Sequence, residues 1–260
     1  MIQAFQKSKI GFYMVIGISV LIAVVIWFRD KDYPFFVPLI ASCLMLVIGY
    51  VSARLLGNIL AASENTRYLG YLHMELDPKK FISCYQDVPG RMKGESTVAV
   101  SRSYLADGYA ANGEYDKAIA QLSQEPPADN LPVQGLYAAN LAAYHLGNMD
   151  PESAAPWLQR LEQIIDACRV DKADLSRNLT EMLQLHRQHF NCLTGKAVDT
   201  DSLESAFSRA QYNLRRLEIK KVLAMTAIRD KDDRAKKEHL SYLRKNGGLT
   251  VYKRWADNVQ

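Results

Sequence analysis

Three residues in the second half of the chain have side-chain types and a spacing that could bind a metal ion. His186 and His189 lie three positions apart and Cys192 follows after three more, so one face of a helix would carry all three. Imidazole and thiolate groups are both ligands of Zn²⁺ in proteins. The segment lacks the His-Glu-x-x-His pattern, and Arg187 places a positive charge beside the histidines. We therefore predict an ordinary solvated helix face here, with a metal-dependent enzyme as the alternative.

Other patterns of catalytic or cofactor-binding residues are missing from the sequence. It contains no glycine-rich phosphate-binding loop and no Gly-x-Ser-x-Gly turn. Asp232 and Asp233 are adjacent carboxylates, but they lie at a predicted helix corner, where capping explains them. The net charge of +4 is too small for the basic face that nucleic-acid binding requires. We expect no enzyme activity, no cofactor, no nucleic acid and no small-molecule substrate.

Two long uncharged runs lie in the first fifth of the chain, at residues 10–28 and 34–53. Each is close to the roughly 20 apolar residues that a helix needs to cross the hydrocarbon core of a bilayer. A cleaved signal peptide is disfavoured, because the first run exceeds the usual apolar region and no small-residue cleavage site follows it. We predict a two-helix transmembrane hairpin that forms a membrane anchor over residues 1–56.

The basic residues that flank the two runs predict how the hairpin is oriented. Arg29 and Lys31 lie in the short loop between the runs, and Lys7 and Lys9 precede the first run. A longer series of six Lys and Arg residues follows the second run, up to Lys93. The positive-inside rule then places both termini in the cytoplasm. We expect a multi-pass protein of a bacterial-type inner membrane, with its C-terminal part in the cytoplasm.

Beyond the anchor, apolar residues recur at the spacing of α-helices. We predict juxtamembrane helices and a linker over residues 57–95, with a helix start at Asp77-Pro78 because Asp is a good N-cap and Pro suits the first helical position. Residues 96–260 are predicted to form a helical domain. Its last helix pair covers residues 203–243, with one unbroken first helix and a corner at residues 230–233.

Residues 98–122 carry the most informative pattern of this domain, a helix, a glycine corner and a second helix. The pattern resembles the core of the tetratricopeptide repeat, although Arg102 stands where that repeat usually has a large apolar residue. The matching residues are Leu105, Ala106, Tyr109, Gly113, Tyr115 and Ala118. Residues 136–161 are similar to a degenerate second copy, and residues 203–243 to a weak third. The predicted fold class is all-α, a transmembrane hairpin followed by a short solenoid similar to tetratricopeptide repeats, with a generic helical bundle as the alternative.

The resemblance implies a function as well as a fold. Tetratricopeptide repeats hold a peptide or a partner helix on a concave surface formed by the first helix of each repeat. The corresponding positions here are Ser103, Asp107, Tyr137, Leu141, Tyr144, His145 and Lys220. Packing against the next helix is an equally good interpretation of Tyr137 and Tyr144. We expect a membrane-tethered scaffold or adaptor that contacts the lipid bilayer and binds an unidentified protein partner. The alternative is a subunit of a membrane transport or envelope-assembly complex that packs through its spans.

Overall fold

The computed structural model of the protein describes residues 2–29, 34, 36–123, 126, 130–168 and 173–259. All regular structure within these residues is helical, which confirms the predicted all-α class. The chain divides into two compact units, Met1–Tyr68 and Leu69–Gln260. This division falls inside the segment that the sequence predicts to be juxtamembrane.

Helices α1 (Ile2–Arg29) and α2 (Phe36–His73) supply the regular structure of the first unit, which ends within α2. Both helices are long and apolar enough to cross a membrane. Large apolar side chains such as those of Leu21 and Ile40 are exposed on them, in numbers that are unusual for a surface in water. Residues 30–33 and 35 lie outside the described residues, and they include Lys31, on which part of the predicted orientation depends.

The two helices of the first unit pack closely and run antiparallel. A Cβ on Gly49 would lie 2.0 Å from the Oγ atom of Ser19, so only glycine allows this approach. Further along the pair, the hydroxyl of Ser42 donates a hydrogen bond of 3.2 Å to the carbonyl oxygen of Ala23. Small side chains at such crossings let helices approach without leaving voids, as they do between helices in lipid. The apolar faces that remain are directed outward.

The second unit is a row of helices in which neighbours along the chain pack against each other. The helices are α3 (Pro78–Tyr85), α4 (Glu95–Ala111), α5 (Tyr115–Gln121), α6 (Leu131–Gly147), α7 (Pro151–Cys168), α8 (Ala173–Leu193), α9 (Thr200–Arg209), α10 (Asn213–Arg229), α11 (Asp233–Asn246) and α12 (Val251–Asn258), with a 3₁₀ turn at Pro89–Arg91. Pairs form between α4 and α5, between α6 and α7, and between α10 and α11. Helices α4, α6, α8 and α10 contact one another in that order.

Polar side chains start several of these helices by accepting a hydrogen bond from a free backbone N–H group. Asp77 accepts from the backbone of Lys80 at 3.0 Å, which confirms the predicted start of α3. Asp232 accepts from Ala235 at 3.0 Å and starts α11, which confirms the capping interpretation of the Asp232-Asp233 pair. These signals are local, so the sequence alone was sufficient to place both starts.

The prediction of one unbroken helix at the start of the last pair is wrong. The chain leaves helical geometry after Arg209, where Ala210 has an extended backbone, and it resumes as α10 at Asn213. The break lets α9 fold back on α10, so that Leu203 and Val222 share one buried cluster. In a straight helix, 19 residues of separation would hold these two side chains almost 30 Å apart. Burial of apolar surface therefore outweighs the local helical pattern.

The C-terminal segment connects the two ends of the row. Helix α12 contacts both α4 and α10. The guanidinium of Arg254 donates to the carbonyl oxygen of Asn112 at 2.7 Å, and the backbone N–H of Leu249 donates to the carbonyl oxygen of Leu76 at 2.9 Å. These contacts join residues that are more than 140 positions apart in the chain. As a result, α12 bridges the two ends of the row and covers part of its inner side.

Candidate functional site: a polar cavity inside the helical row

A cavity of about 440 Å³ lies on the inner side of the second unit. Helices α4, α6, α8, α10 and α12 contribute its walls, together with the end of α2. Its size is within the range of ordinary small-ligand sites. Its lining is rich in ionisable groups, which are costly to bury without partners. They include Asp107, Tyr144, His186, His189, Arg215, Glu218, Lys221 and Tyr252.

One wall of the cavity is organised around the carboxyl group of Asp107. The hydroxyl of Tyr144 donates to its Oδ1 atom at 2.5 Å, and the amide of Asn140 donates to the same atom at 3.1 Å. The Asn140 amide also lies 3.0 Å from the hydroxyl oxygen of Ser103. Loss of solvation raises the pKa of Asp107 to about 7. The hydrogen bond from Tyr144 lowers this pKa, but its effect is smaller. Asp107 can therefore gain or lose a proton near neutral pH.

A second cluster surrounds Glu218 on α10. One carboxylate oxygen pairs with the guanidinium of Arg215 at 3.0 Å, and the other accepts from the hydroxyl of Tyr252 at 3.4 Å. Arg215 also donates to the backbone oxygen of Glu181 at 3.4 Å. Burial and the nearby Glu218 charge hold the pKa of Tyr252 well above its usual value, so its hydroxyl stays protonated. The charges of Arg215 and Glu218 are thus largely compensated within the protein.

The third cluster contains only nitrogen groups, those of His186, His189 and Lys221. The histidines are 5% and 9% exposed, so the predicted solvated helix face is wrong. Burial lowers the pKa of His186 to about 3, with a smaller contribution from Arg215. Burial also lowers the pKa of His189 well below its usual value, and that of Lys221 to about 8. At neutral pH the cluster therefore holds two neutral imidazoles and one ammonium group.

The predicted metal alternative obtains no ligand set in the described part of the chain. Nowhere among those residues do three His, Cys, Asp or Glu side chains come together to hold an ion. The thiol of Cys192 instead accepts a hydrogen bond of 3.5 Å from the hydroxyl of Thr226 and belongs to the apolar cluster between α8 and α10. The spacing places the three residues along one side of α8, but their side chains do not converge on one metal position.

The seven residues of the predicted concave surface lie in different environments. Asp107 and Tyr144 meet at the cavity wall, as described above. Tyr137 and Leu141 are buried between α4, α5 and α6, where the hydroxyl of Tyr137 donates to the backbone oxygen of Ala99 at 3.3 Å. Ser103 is fully buried behind the cavity wall.

The two remaining residues of that surface pair with carboxylates. His145 lies 3.7 Å from the carboxylate of Asp150, at the corner between α6 and α7. Lys220 is buried with its ammonium 2.8 Å from the carboxylate of Glu204 and 4.4 Å from the ring centre of Phe207. Neither residue lines the cavity. Lys220 thus connects α9 and α10, while the adjacent Lys221 faces the cavity.

Among the cavity residues that sequence reasoning missed are the charged residues Arg215, Glu218 and Lys221 and the tyrosine Tyr252. The first three lie at intervals of three along α10, interleaved with buried Leu214, Leu217 and Val222. Charged residues at helical spacing beside an apolar stripe usually form the solvent-exposed face of a helix, so the sequence carries no signal that these three line an interior cavity. Tyr252 carries no such signal, because α12 reaches the cavity only through the closure of the row.

Comparisons with known proteins were made for the whole chain. No protein-family model matches it, and neither does any curated protein or solved structure. The chemistry of the cavity is therefore derived from its own residues and their contacts.

Proposed function

We propose that the protein is a membrane-tethered scaffold or adaptor whose helical domain binds a partner protein at the cavity on its inner face. The observation that supports this most directly is the gathering of four ionisable residues around a cavity of about 440 Å³, with Tyr144 and Lys221 buried and Asp107 and Glu218 half-buried. Buried ionisable groups are destabilising unless they are satisfied, so their concentration at one cavity indicates a binding site. A cavity of this size accommodates a short segment of a partner rather than a folded domain.

The order of the helices supports the proposed relation to tetratricopeptide repeats. Successive antiparallel pairs place α4, α6 and α10 on the inner side, and the buried residues Ala106 and Ala118 lie in one cluster where α4 meets α5. Repeats of this kind bury their apolar faces against neighbouring repeats and leave an inner surface free for ligands. In this proposal α12 covers one part of that surface and converts a groove into a cavity.

The two apolar helices form the membrane anchor in this proposal. Their exposed apolar side chains need a nonaqueous environment, and their length matches a bilayer. Anchoring confines the helical domain to the vicinity of the membrane and thereby raises its effective concentration toward membrane-bound partners. The scaffold therefore acts by bringing its partner to the bilayer.

The orientation of the anchor is tested with reporters fused behind Gln260. With both termini in the cytoplasm, as the flanking Lys and Arg residues favour, a reporter that works only in the cytoplasm is expected to be active. A reporter that works only outside the cell serves as the matched control and is expected to be inactive. The opposite result would reverse the topology and place the helical domain outside.

Binding at the cavity is tested by capture of partners on the full chain in detergent, with quantitative mass spectrometry. Ala143 lines the cavity, so the larger side chain of Ala143→Phe is expected to occupy part of it and to lower capture of a specific partner by about tenfold or more. Ala120 is exposed on α5 and does not line the cavity, so Ala120→Phe is the control and should leave capture unchanged. Capture that survives Ala143→Phe would favour a complex that packs through the spans instead.

A further inference from the structure

The cluster formed by His186, His189 and Lys221 has hydrogen-bonding groups that the protein leaves unused. Within the described residues, the Nε2 atoms of both histidines are buried without any hydrogen-bond partner. Lys221 is 5% exposed, and its ammonium nitrogen lies 5.8 Å from the centre of the Trp255 ring. All three side chains line the cavity. Two further charged residues of the cavity, Arg215 and Glu218, instead form an ion pair with each other.

We propose that the cluster of His186, His189 and Lys221 is a subsite for a singly charged oxyanion, the carboxylate of a small organic acid or of an acidic side chain. The proposal rests on the proposed function to the extent that the same cavity is the binding site. It adds the chemical class of the group that the cavity recognises.

The need of Lys221 for an acceptor is the first argument. An ammonium group has three N–H donors and no acceptor, and burying it without hydrogen bonds is strongly unfavourable. Each neutral imidazole has one N–H group, which it can donate to a ligand when the proton is on Nε2. A carboxylate supplies two oxygens with about four acceptor positions, which matches in number the donors of the ammonium and both imidazoles.

The charge balance of the subsite is the second argument, and it favours one negative charge over two. Burial keeps both histidines neutral, so Lys221 supplies the one positive charge of this cluster, and among the described residues no carboxylate forms an ion pair with it. Glu218 lies near enough to influence Lys221, and the carboxyl groups of Asp107 and Glu181 line the cavity as well. A doubly charged phosphate would bring an excess negative charge into the desolvated subsite. A carboxylate carries one negative charge, which balances the single positive charge of Lys221.

The remaining lining is the third argument, because it selects an organic molecule over a bare ion. Met182 and Leu185 on α8 and Val222 on α10 line the same cavity as the nitrogen cluster. Apolar contacts of this kind bury a hydrocarbon body, while a few polar groups orient it. The cavity volume of about 440 Å³ is also much larger than an inorganic ion needs.

The experiment measures binding to the full-length protein in detergent by isothermal titration calorimetry, with benzoate as the probe. Benzamide, which has nearly the same shape without the charge, and inorganic phosphate are the comparison ligands. Saturable binding of benzoate is expected, with binding of benzamide and phosphate at least about tenfold weaker. Absence of saturable benzoate binding, or tighter binding of phosphate, would overturn the proposal.

Two adjacent lysines provide matched variants for the same measurement. Lys221→Met removes the charge in the cavity and is expected to weaken benzoate binding by about 10- to 100-fold. Lys220→Met removes the neighbouring buried charge, which pairs with Glu204 away from the cavity, and should leave the affinity unchanged. Equal affinities of the Lys221→Met variant and the original protein would contradict the proposal.

A readout without any substitution guards against variants that fail to fold. Benzoate is expected to shift the NMR signals of the His186 and His189 ring nitrogens, while the His145 ring, which pairs with Asp150 outside the cavity, keeps its signals. Unchanged signals of the first two rings at saturating benzoate would overturn the proposal.

Competition distinguishes the source of the carboxylate and separates this proposal from the proposed function. Benzoate that displaces the captured partner supports an acidic side chain of that partner as the source. Benzoate that binds without displacing it supports a free organic acid. If benzoate fails to bind while Ala143→Phe still abolishes partner capture, the subsite is wrong and the scaffold function stands. If benzoate binds and no captured partner depends on the cavity, the subsite stands and the scaffold function is wrong.

Discussion

Replacement of Phe81 with alanine is expected to lower the free energy of unfolding of the helical domain by about 3–5 kcal/mol. Phe81 has no exposed surface, and its ring stacks on that of Tyr85 with 4.9 Å between the ring centres. Removal of the ring leaves a cavity where α3 meets α4, and the surrounding backbone can close it only in part. The measurement is urea unfolding of the full chain in detergent, followed by far-ultraviolet circular dichroism.

Gly108 on α4 is the partner of Phe81 and supplies the control. A Cβ at Gly108 would lie 2.5 Å from the Phe81 ring, so Gly108→Ala is expected to cost about 1–3 kcal/mol. Gly70 is also helical but has no atom within 4 Å of such a Cβ, so Gly70→Ala should be neutral or slightly stabilising. The pair Phe81→Ala and Gly108→Ala should cost less than the sum of the two, because the first makes room for the second. Equal effects of the two glycine substitutions would contradict this account.

Replacement of Asp107 with asparagine is expected to change how stability depends on pH. The pKa of Asp107 rises from 3.8 to about 7 on folding because burial disfavours its charged form. Between these values the folded state binds one more proton than the unfolded state, so stability falls as pH rises. At about 1.4 kcal/mol per pH unit, the original protein should lose about 2–3 kcal/mol from pH 5 to pH 8 relative to Asp107→Asn.

The comparison with Asp107→Asn isolates this contribution from that of the buried histidines. Burial lowers the pKa of His186 and His189, so their contribution is present at high pH and is lost as pH falls below the usual value of 6.5. They titrate in both proteins and cancel in the difference. The asparagine oxygen can still accept the Tyr144 hydroxyl, so the hydrogen bond is kept. Thermal unfolding at a series of pH values provides the measurement, and parallel profiles for the two proteins would show that Asp107 does not titrate on folding.

The sequence predicted much of the local structure of this protein. Asp77 and Asp232 start helices as expected, because a capping bond joins residues only three positions apart. The buried alanines Ala106 and Ala118 mark the close approach of α4 and α5, since the corner at residues 112–114 forces the two helices together. The two apolar runs were equally evident, because composition over about 20 residues decides whether a helix is long and apolar enough to span a bilayer.

The candidate site was determined by the tertiary structure. The interval between His186 and His189 predicts that they share a helix face, but their burial depends on α10, a helix that lies more than 20 residues further along the chain. Tyr252 reaches Glu218 only because α12 folds back across the ends of the row. Capping and periodicity involve neighbours within one or two turns, whereas desolvation, and with it the pKa values and unused hydrogen-bonding groups of the cavity, depends on side chains from several separate helices.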